Sequence, residues 1–161
     1  MKPLLYGMNL TEIKKIIDNN DVNQRNKVKL GEVFTPFDLI IEMLDTLPKT
    51  MWTNPNNKWL DPGSGIGNFS MLVFYYLDQG LKIWQPDNEK RRSHIMKNMI
   101  HMVEFSQINI NKCRKIFGHD ANISKSDFIK QEPKWHQEFQ ISKFEVILGN
   151  PPYNANGMKG K

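Results

Sequence analysis

The stretch KWLDPGSGIGNFSMLVFYYLDQG, residues 58–80, decides the fold. "KWLD" reads as a short strand that runs straight into the glycine-rich turn "PGSGIGNFS" (62–70), which opens the helix "MLVFYYLDQG" (71–80). Strand, glycine turn and helix in that order make the first unit of a parallel α/β sheet. Gly63, Gly65 and Gly67 stand where a ligand has to approach the backbone closely. No lysine precedes a Ser or Thr here, which argues against a triphosphate, and G-x-G-x-G differs from the dinucleotide fingerprint G-x-G-x-x-G. Asp61 sits at the strand end facing the ligand. A carboxylate there suits a cationic group such as the amine of a methionine moiety, and is unhelpful beside a pyrophosphate. The plain alternative is a βα turn that binds nothing.

Downstream the pattern repeats. "NEKRRSHIMKNM" (88–99) is a basic helix-like segment, "IHMVEF" (100–105) a strand, and "SQININKCRKIFG" (106–118) the next helix. Glu104 ends that second strand, where a carboxylate can accept both hydroxyls of a ribose. "ANISKSDF" (121–128) is a weaker strand and "PKWHQEFQI" (133–141) a short helix. "FEVILG" (144–149) is the strongest strand, its nearly continuous apolar run suiting a central parallel strand covered on both faces. Upstream, "NLTEIKKIIDNN" (9–20) carries Leu10, Ile13, Ile16 and Ile17 on one helical face, with Asn9 and Glu12 spaced as a capping box. Residues 18–29 read as a polar loop. In "GEVFTPFDLIIEMLDTLP" (31–48), Thr35 is placed to cap a helix, Pro36 suits its first position, Asp38 its first turn, and Pro48 ends it.

After the last strand comes Asn150-Pro151-Pro152-Tyr153. Asn150 offers a side-chain carbonyl and Pro151 a backbone carbonyl, with no competing amide hydrogen from either proline. Two convergent acceptors suit an exocyclic aromatic amine, a poor nucleophile because its lone pair is delocalised into the ring. Accepting both N–H bonds favours a tetrahedral nitrogen with its lone pair localised, a stabilisation that is strongest in the transition state. Tyr153 is placed to stack on a planar base turned out of a duplex. The bland alternative is a tight turn after a strand.

Composition sets the bounds. The chain has 161 residues, 39% hydrophobic and 24% charged, which is ordinary for one globular domain. A net charge of +5 with a pI near 9.3 leans weakly towards a polyanionic partner. The single cysteine, Cys113, excludes an internal disulfide framework and thiolate zinc clusters, and the four histidines show no metal-ligand spacing, so no metal is expected. No apolar run is long enough for a bilayer and no signal-peptide core opens the chain, so a reduced, cytoplasmic protein without membrane contact is expected. "KRRSH" (90–94) reads as a solvated helix face rather than a phosphate contact.

Taken together, "GEVFTP" (31–36), "LDPGSGIGNF" (60–69), the acid of "MVEF" (102–105), "SDF" (126–128) and "NPPY" (150–153) resemble the adenine-specific DNA methyltransferases of restriction–modification systems. The resemblance covers roughly residues 28–157, and five elements in family order are far more specific than any one. It implies an α/β, Rossmann-like fold with a parallel sheet and helices on both faces. S-adenosyl-L-methionine would be the donor and the N6 amine of adenine in double-stranded DNA the acceptor. By motif match, Thr35 would contact the methionine carboxylate, and Asp61 with Gly63, Gly65 and Gly67 would hold its backbone. Glu104 would hold the ribose, Asp127 and Phe128 the cofactor adenine, and Asn150, Pro151, Pro152 and Tyr153 the flipped base. Gly63 stands where many relatives carry alanine.

The resemblance also implies a division into an N-terminal helical and loop extension, residues 1–30, and the N-terminal part of the catalytic domain, residues 31–161. Only the first four strands would be present, in spatial order 3-2-1-4, leaving the strand before Asn150 as an exposed apolar edge. Family members continue past this point with the rest of the base pocket and a recognition domain. The chain is therefore expected to be a cofactor-binding half, weakly active or inactive alone, completed by a missing C-terminal region or a second polypeptide. Rival readings are a methyltransferase for protein glutamine or RNA guanine, which share an Asn-Pro-Pro-aromatic tetrapeptide, and a non-catalytic adenosylmethionine-binding fragment. "GEVFTP" upstream of the turn, and Asp-Pro at its start, argue against the first pair.

Overall fold

The computed structural model of the protein describes residues 3–25 and 35–150. A 3-10 turn, Leu4–Gly7, leads into α1 (Leu10–Arg25). The capping box forms as the spacing predicts: the Asn9 amide donates to Glu12 Oε2 at 2.8 Å and the Glu12 amide to Asn9 Oδ1 at 3.0 Å. Ile13 and Ile17 are fully buried, while Leu10 and Ile16 pack at the margin of the same core. Helix α1 corrects the loop predicted from residue 18. With no Gly or Pro between Leu10 and Arg25, nothing interrupts propagation once the capped first turn has formed.

Helix α2 (Phe37–Asp45) also starts differently from its prediction. Its N-cap is Pro36, extended at φ −60° and ψ 150°, and no side chain caps it. Thr35 is therefore one residue too early to reach the helix amides, and its Oγ1 is left buried without a partner. Asp38 does occupy the first turn and meets Lys14 Nζ at 3.3 Å.

The sheet is built from β1 (Trp59–Asp61), β2 (Ile100–Glu104), β3 (Asn122–Lys125) and β4 (Val146–Ile147). All pairs are parallel and the order is β3-β2-β1-β4, as expected. Helix α3 (Asn68–Gly80) links β1 towards β2, α5 (Gln107–Phe117) links β2 to β3, and α6 (Glu132–Phe139) links β3 to β4. Alternation along each strand divides the core. Trp59, Ile100, Met102 and Val146 pack with α1, α2, α3 and α5, whereas Leu60 and Val103 pack with Trp135 of α6, flanked by Phe128, Phe139 and Phe144. Helices thus cover both faces.

Two expectations change. "FEVILG" lies at the sheet edge, as the resemblance implies, but instead of a strong strand covered on both faces it yields only two strand residues, Val146 buried and Ile147 60% exposed. An apolar run reports hydrophobicity, not pairing, and β4 pairs on one side only, with β1. The second change is Arg91, in α4 (Asn88–His94), which is 1% exposed rather than solvated. It binds Asp78 at 2.8 Å and spends its other donors on Gln85, Pro86 and Asn88.

Candidate cofactor and base site

The glycine turn joins β1 to α3 in backbone conformations that only glycine adopts easily. Gly65 lies at φ 56° and Gly67 at φ 89°. A Cβ on Gly67 would also stand 2.5 Å from the Phe117 ring, so that position admits no side chain without displacing that buried ring. The turn is laced to β2: the Ser64 amide donates to the Val103 carbonyl at 3.1 Å and the Gly65 amide to Glu104 Oε2 at 2.7 Å. The other Glu104 oxygen accepts the Ser106 amide at 2.6 Å. These two backbone amides orient the Glu104 carboxylate.

Asp61 ends β1 against this turn and is 4% exposed. Its Oδ2 accepts the Ser70 hydroxyl at 3.0 Å, while Oδ1 has no hydrogen-bond partner, and no cation pairs with it among the described residues. Burial raises its pKa to about 7; the Ser70 hydroxyl and the Gly63 amide pull it down, and the Glu104 charge adds to the rise. The Asn68 side chain, 6% exposed, leaves both Oδ1 and Nδ2 unpaired, and Thr35 Oγ1 is in the same condition at 7% exposure. Buried polar atoms in natural proteins are nearly always paired. Unpaired donors and acceptors of both kinds fit the charged end of an amino acid.

The chain leading into the base motif comes to the same place. The Leu148 amide donates to the Leu60 carbonyl at 3.0 Å, which sets Gly149 beside Asp61. A Cβ at Gly149 would lie 2.8 Å from Asp61 Oδ1 and 3.2 Å from Pro62 Cδ. Asn150, half-buried, follows directly. Pro151, Pro152 and Tyr153 lie outside the described residues, as do residues 31–34 of the "GEVFTP" segment.

Asp127 and Phe128 sit further out. The Ser126 amide bonds to the Glu104 carbonyl at 3.1 Å, so Asp127 stands just past the end of β2. Its carboxylate accepts the amides of Ile129 and Lys130 at 3.1 and 3.0 Å, and Phe128 stacks on Trp135 at 5.0 Å on the α6 side. Phe105, directly after Glu104, is 72% exposed. Asn68 and Ser70 escaped the sequence reading. Their signal was available: two polar residues in the first turn of a helix that is otherwise apolar.

A parallel sheet in this order, with a glycine turn after its first strand and acids closing its first two, is a Rossmann-like methyltransferase fold. The chain belongs to the N-6 DNA methylase family, which it matches over residues 16–161. It is also 36% identical to a protein of Mycoplasma pneumoniae (strain ATCC 29342 / M129 / Subtype 1) described as an uncharacterized adenine-specific methylase, over 92% of this chain and 50% of the relative. The chain thus spans about half the length of the curated relative it matches. Among the described residues, no helix is long and apolar enough to cross a membrane.

Proposed function

We propose that this chain carries the cofactor-binding part of an enzyme that moves the methyl group of S-adenosyl-L-methionine to the N6 amine of adenine in double-stranded DNA, in the cytoplasm. The observation that supports this most is the buried Asp61 carboxylate, paired with no cation among the described residues, with Gly149 packed beside it and Asn150 next in the chain. That arrangement puts an acceptor for a cationic amine next to an acceptor for a neutral one. Thr35 and Asp61, with the turn Gly63, Gly65 and Gly67, hold the methionine end. Glu104 accepts the ribose hydroxyls, and Phe105, Asp127 and Phe128 border the adenine. When bound, the cofactor supplies an electrophilic methyl group on a sulfonium sulfur. Asn150 and Pro151 accept the two N–H bonds of the target amine and so localise its lone pair. Pro152 stiffens that turn and Tyr153 stacks on the flipped base. Target recognition is assigned to the half of the relative that this chain does not span, on the same or a second polypeptide.

Calorimetric titration of S-adenosylmethionine into the chain, beside an Asp61→Ala variant, tests the reading. Saturable binding that the variant loses is expected. A folded chain that binds nothing would sink the cofactor assignment, and binding equal in both proteins would move the amine partner elsewhere. Methyl transfer to adenine in duplex DNA is expected to be weak from this chain alone, and to rise on adding a polypeptide that supplies the rest of the relative.

A further inference from the structure

We propose that Asn68 is a further cofactor-positioning residue, its Nδ2 donating to the carboxylate and its Oδ1 accepting from the ammonium of the bound amino-acid end; this rests on the cofactor reading above. An Asn at the start of a helix ordinarily serves as the N-cap, its side chain accepting an amide of the first turn. That explanation fails here. The N-cap of α3 is Gly67, and Asn68 is already the first helical residue. Solvent does not satisfy the side chain either, because it is 6% exposed. A neighbour in the same turn shows what satisfaction looks like: the Ser70 hydroxyl bonds to Asp61 at 3.0 Å. Asn68 instead keeps a buried donor and a buried acceptor idle, a double cost to the unliganded protein.

The chemistry of the missing partner follows from that pairing. A simple anion would engage Nδ2 and strand Oδ1, and a cation would do the reverse. A zwitterion engages both. The other unpaired groups named above are divided in the same way. The α3 N-terminus presents the positive end of its dipole to a carboxylate. The Thr35 hydroxyl, also unpaired, lies just before α2, a helix that packs against α3. Asp61 Oδ1 offers the negative partner for the ammonium. Asn68 therefore reads the free α-amino acid end of the cofactor and not its nucleoside, which lies towards Glu104.

The test compares two ligands that differ only at that end. S-adenosylhomocysteine carries the amino acid; 5′-deoxy-5′-methylthioadenosine lacks it. In Asn68→Leu, which keeps the volume and removes both polar atoms, affinity for S-adenosylhomocysteine is expected to fall about 10- to 100-fold. Affinity for methylthioadenosine should stay within about twofold. The melting temperature without ligand should hold or rise, since the idle polar atoms are gone. Equal losses for both ligands, or no loss for either, would overturn the assignment. If the unsubstituted chain binds neither ligand, the cofactor reading itself falls and takes this one with it. If it binds both and Asn68→Leu binds both equally well, only the role of Asn68 falls. Should Asn68→Leu fail to fold, Asn68→Ser supports the same comparison.

Discussion

Two carboxylates are buried to the same 4% exposure at opposite ends of α3, and their surroundings are opposite. Asp78, in the last turn, accepts from Arg91 Nε at 2.8 Å and from Arg92 Nε at 3.0 Å. Asp61, beside the first turn, has the Ser70 hydroxyl and the Gly63 amide and, among the described residues, no cation. Helix polarity accounts for part of the contrast. A carboxylate near a helix C-terminus faces negative dipole ends and has to be neutralised, whereas one near the N-terminus is tolerated without a counter-charge. The rest follows the proposed function: a saturated acid fastens α3 to α4, and an unsaturated one is left for the amine of the cofactor proposed above.

Removing each acid should therefore move stability in opposite directions. Asp78→Ala strands Arg91, itself 1% exposed, and is expected to cost about 3–5 kcal/mol. Thermal denaturation should show a fall of about 10 °C or more. A fall under about 3 °C would mean that water reaches Arg91 and the contrast is only apparent. Asp61→Asn should instead stabilise the unliganded chain. Its carboxyl has a folded pKa of about 7 against 3.8 unfolded, so the folded state holds the proton more tightly. The burden is absent below pH 3.8, grows as pH rises, and is complete above about 7. Urea denaturation should find Asp61→Asn more stable by about 2–4 kcal/mol at pH 8 and nearly equal to the unsubstituted chain at about pH 3.5. A destabilised variant at pH 8 would show that Asp61 is as structural as Asp78.

The same contrast explains what could be read before the structure. The β1–turn–α3 unit was legible because glycines, a strand-end acid and a continuous apolar helix sit within residues 58–80. Glu104 was legible by the same local logic, and the strand order through the family resemblance. Arg91 was not: "KRRSH" reads as a solvated face, and only the approach of Asp78, thirteen residues earlier, shows that one arginine turns inward. Strand β4 misled in the other direction, since its apolar letters say nothing about how many residues find a pairing partner. Asn68, a visible polar letter at an apolar helix start, was passed over for a subtler reason. Asparagine at a helix start is common, and what marks it is the absence of the bond it usually makes.

The α6 face holds a third buried titratable group, which extends the comparison to a base. His101, on β2, packs edge-on against Phe139 and Phe144, and its Nδ1 meets the Met99 carbonyl at 3.1 Å. Burial, with a smaller contribution from Lys58, lowers its pKa from 6.5 to about 4, against the hydrogen bonds to the Met99 and Trp59 backbones. Here the unfolded state binds the proton more tightly. Stability is intact above about pH 6.5 and falls by up to about 3 kcal/mol as pH drops to 4. His101→Phe should flatten that acid limb in denaturation profiles; an unchanged limb would assign it to other groups.

The smallest expected effect is also the sharpest test of why Asp61 is left unsaturated. Ser70 is its one side-chain hydrogen-bond donor, and that bond lowers the carboxyl pKa against the effect of burial. Ser70→Ala removes it, so the pKa should climb above about 7 by roughly half a unit to one unit, the equivalent of about 1 kcal/mol. Because a cationic amine binds the ionised carboxylate, affinity for S-adenosylhomocysteine in the unsubstituted chain should rise about tenfold per pH unit up to about 7 and then level off. In Ser70→Ala the same curve should be displaced to higher pH. The variant would bind several-fold more weakly at pH 7 and equally well at pH 8.5. A loss of the same size at both pH values would mean that Ser70 shapes the turn rather than the charge, and Asp61 would then be a poorly paired structural acid and not a receptor for an amine.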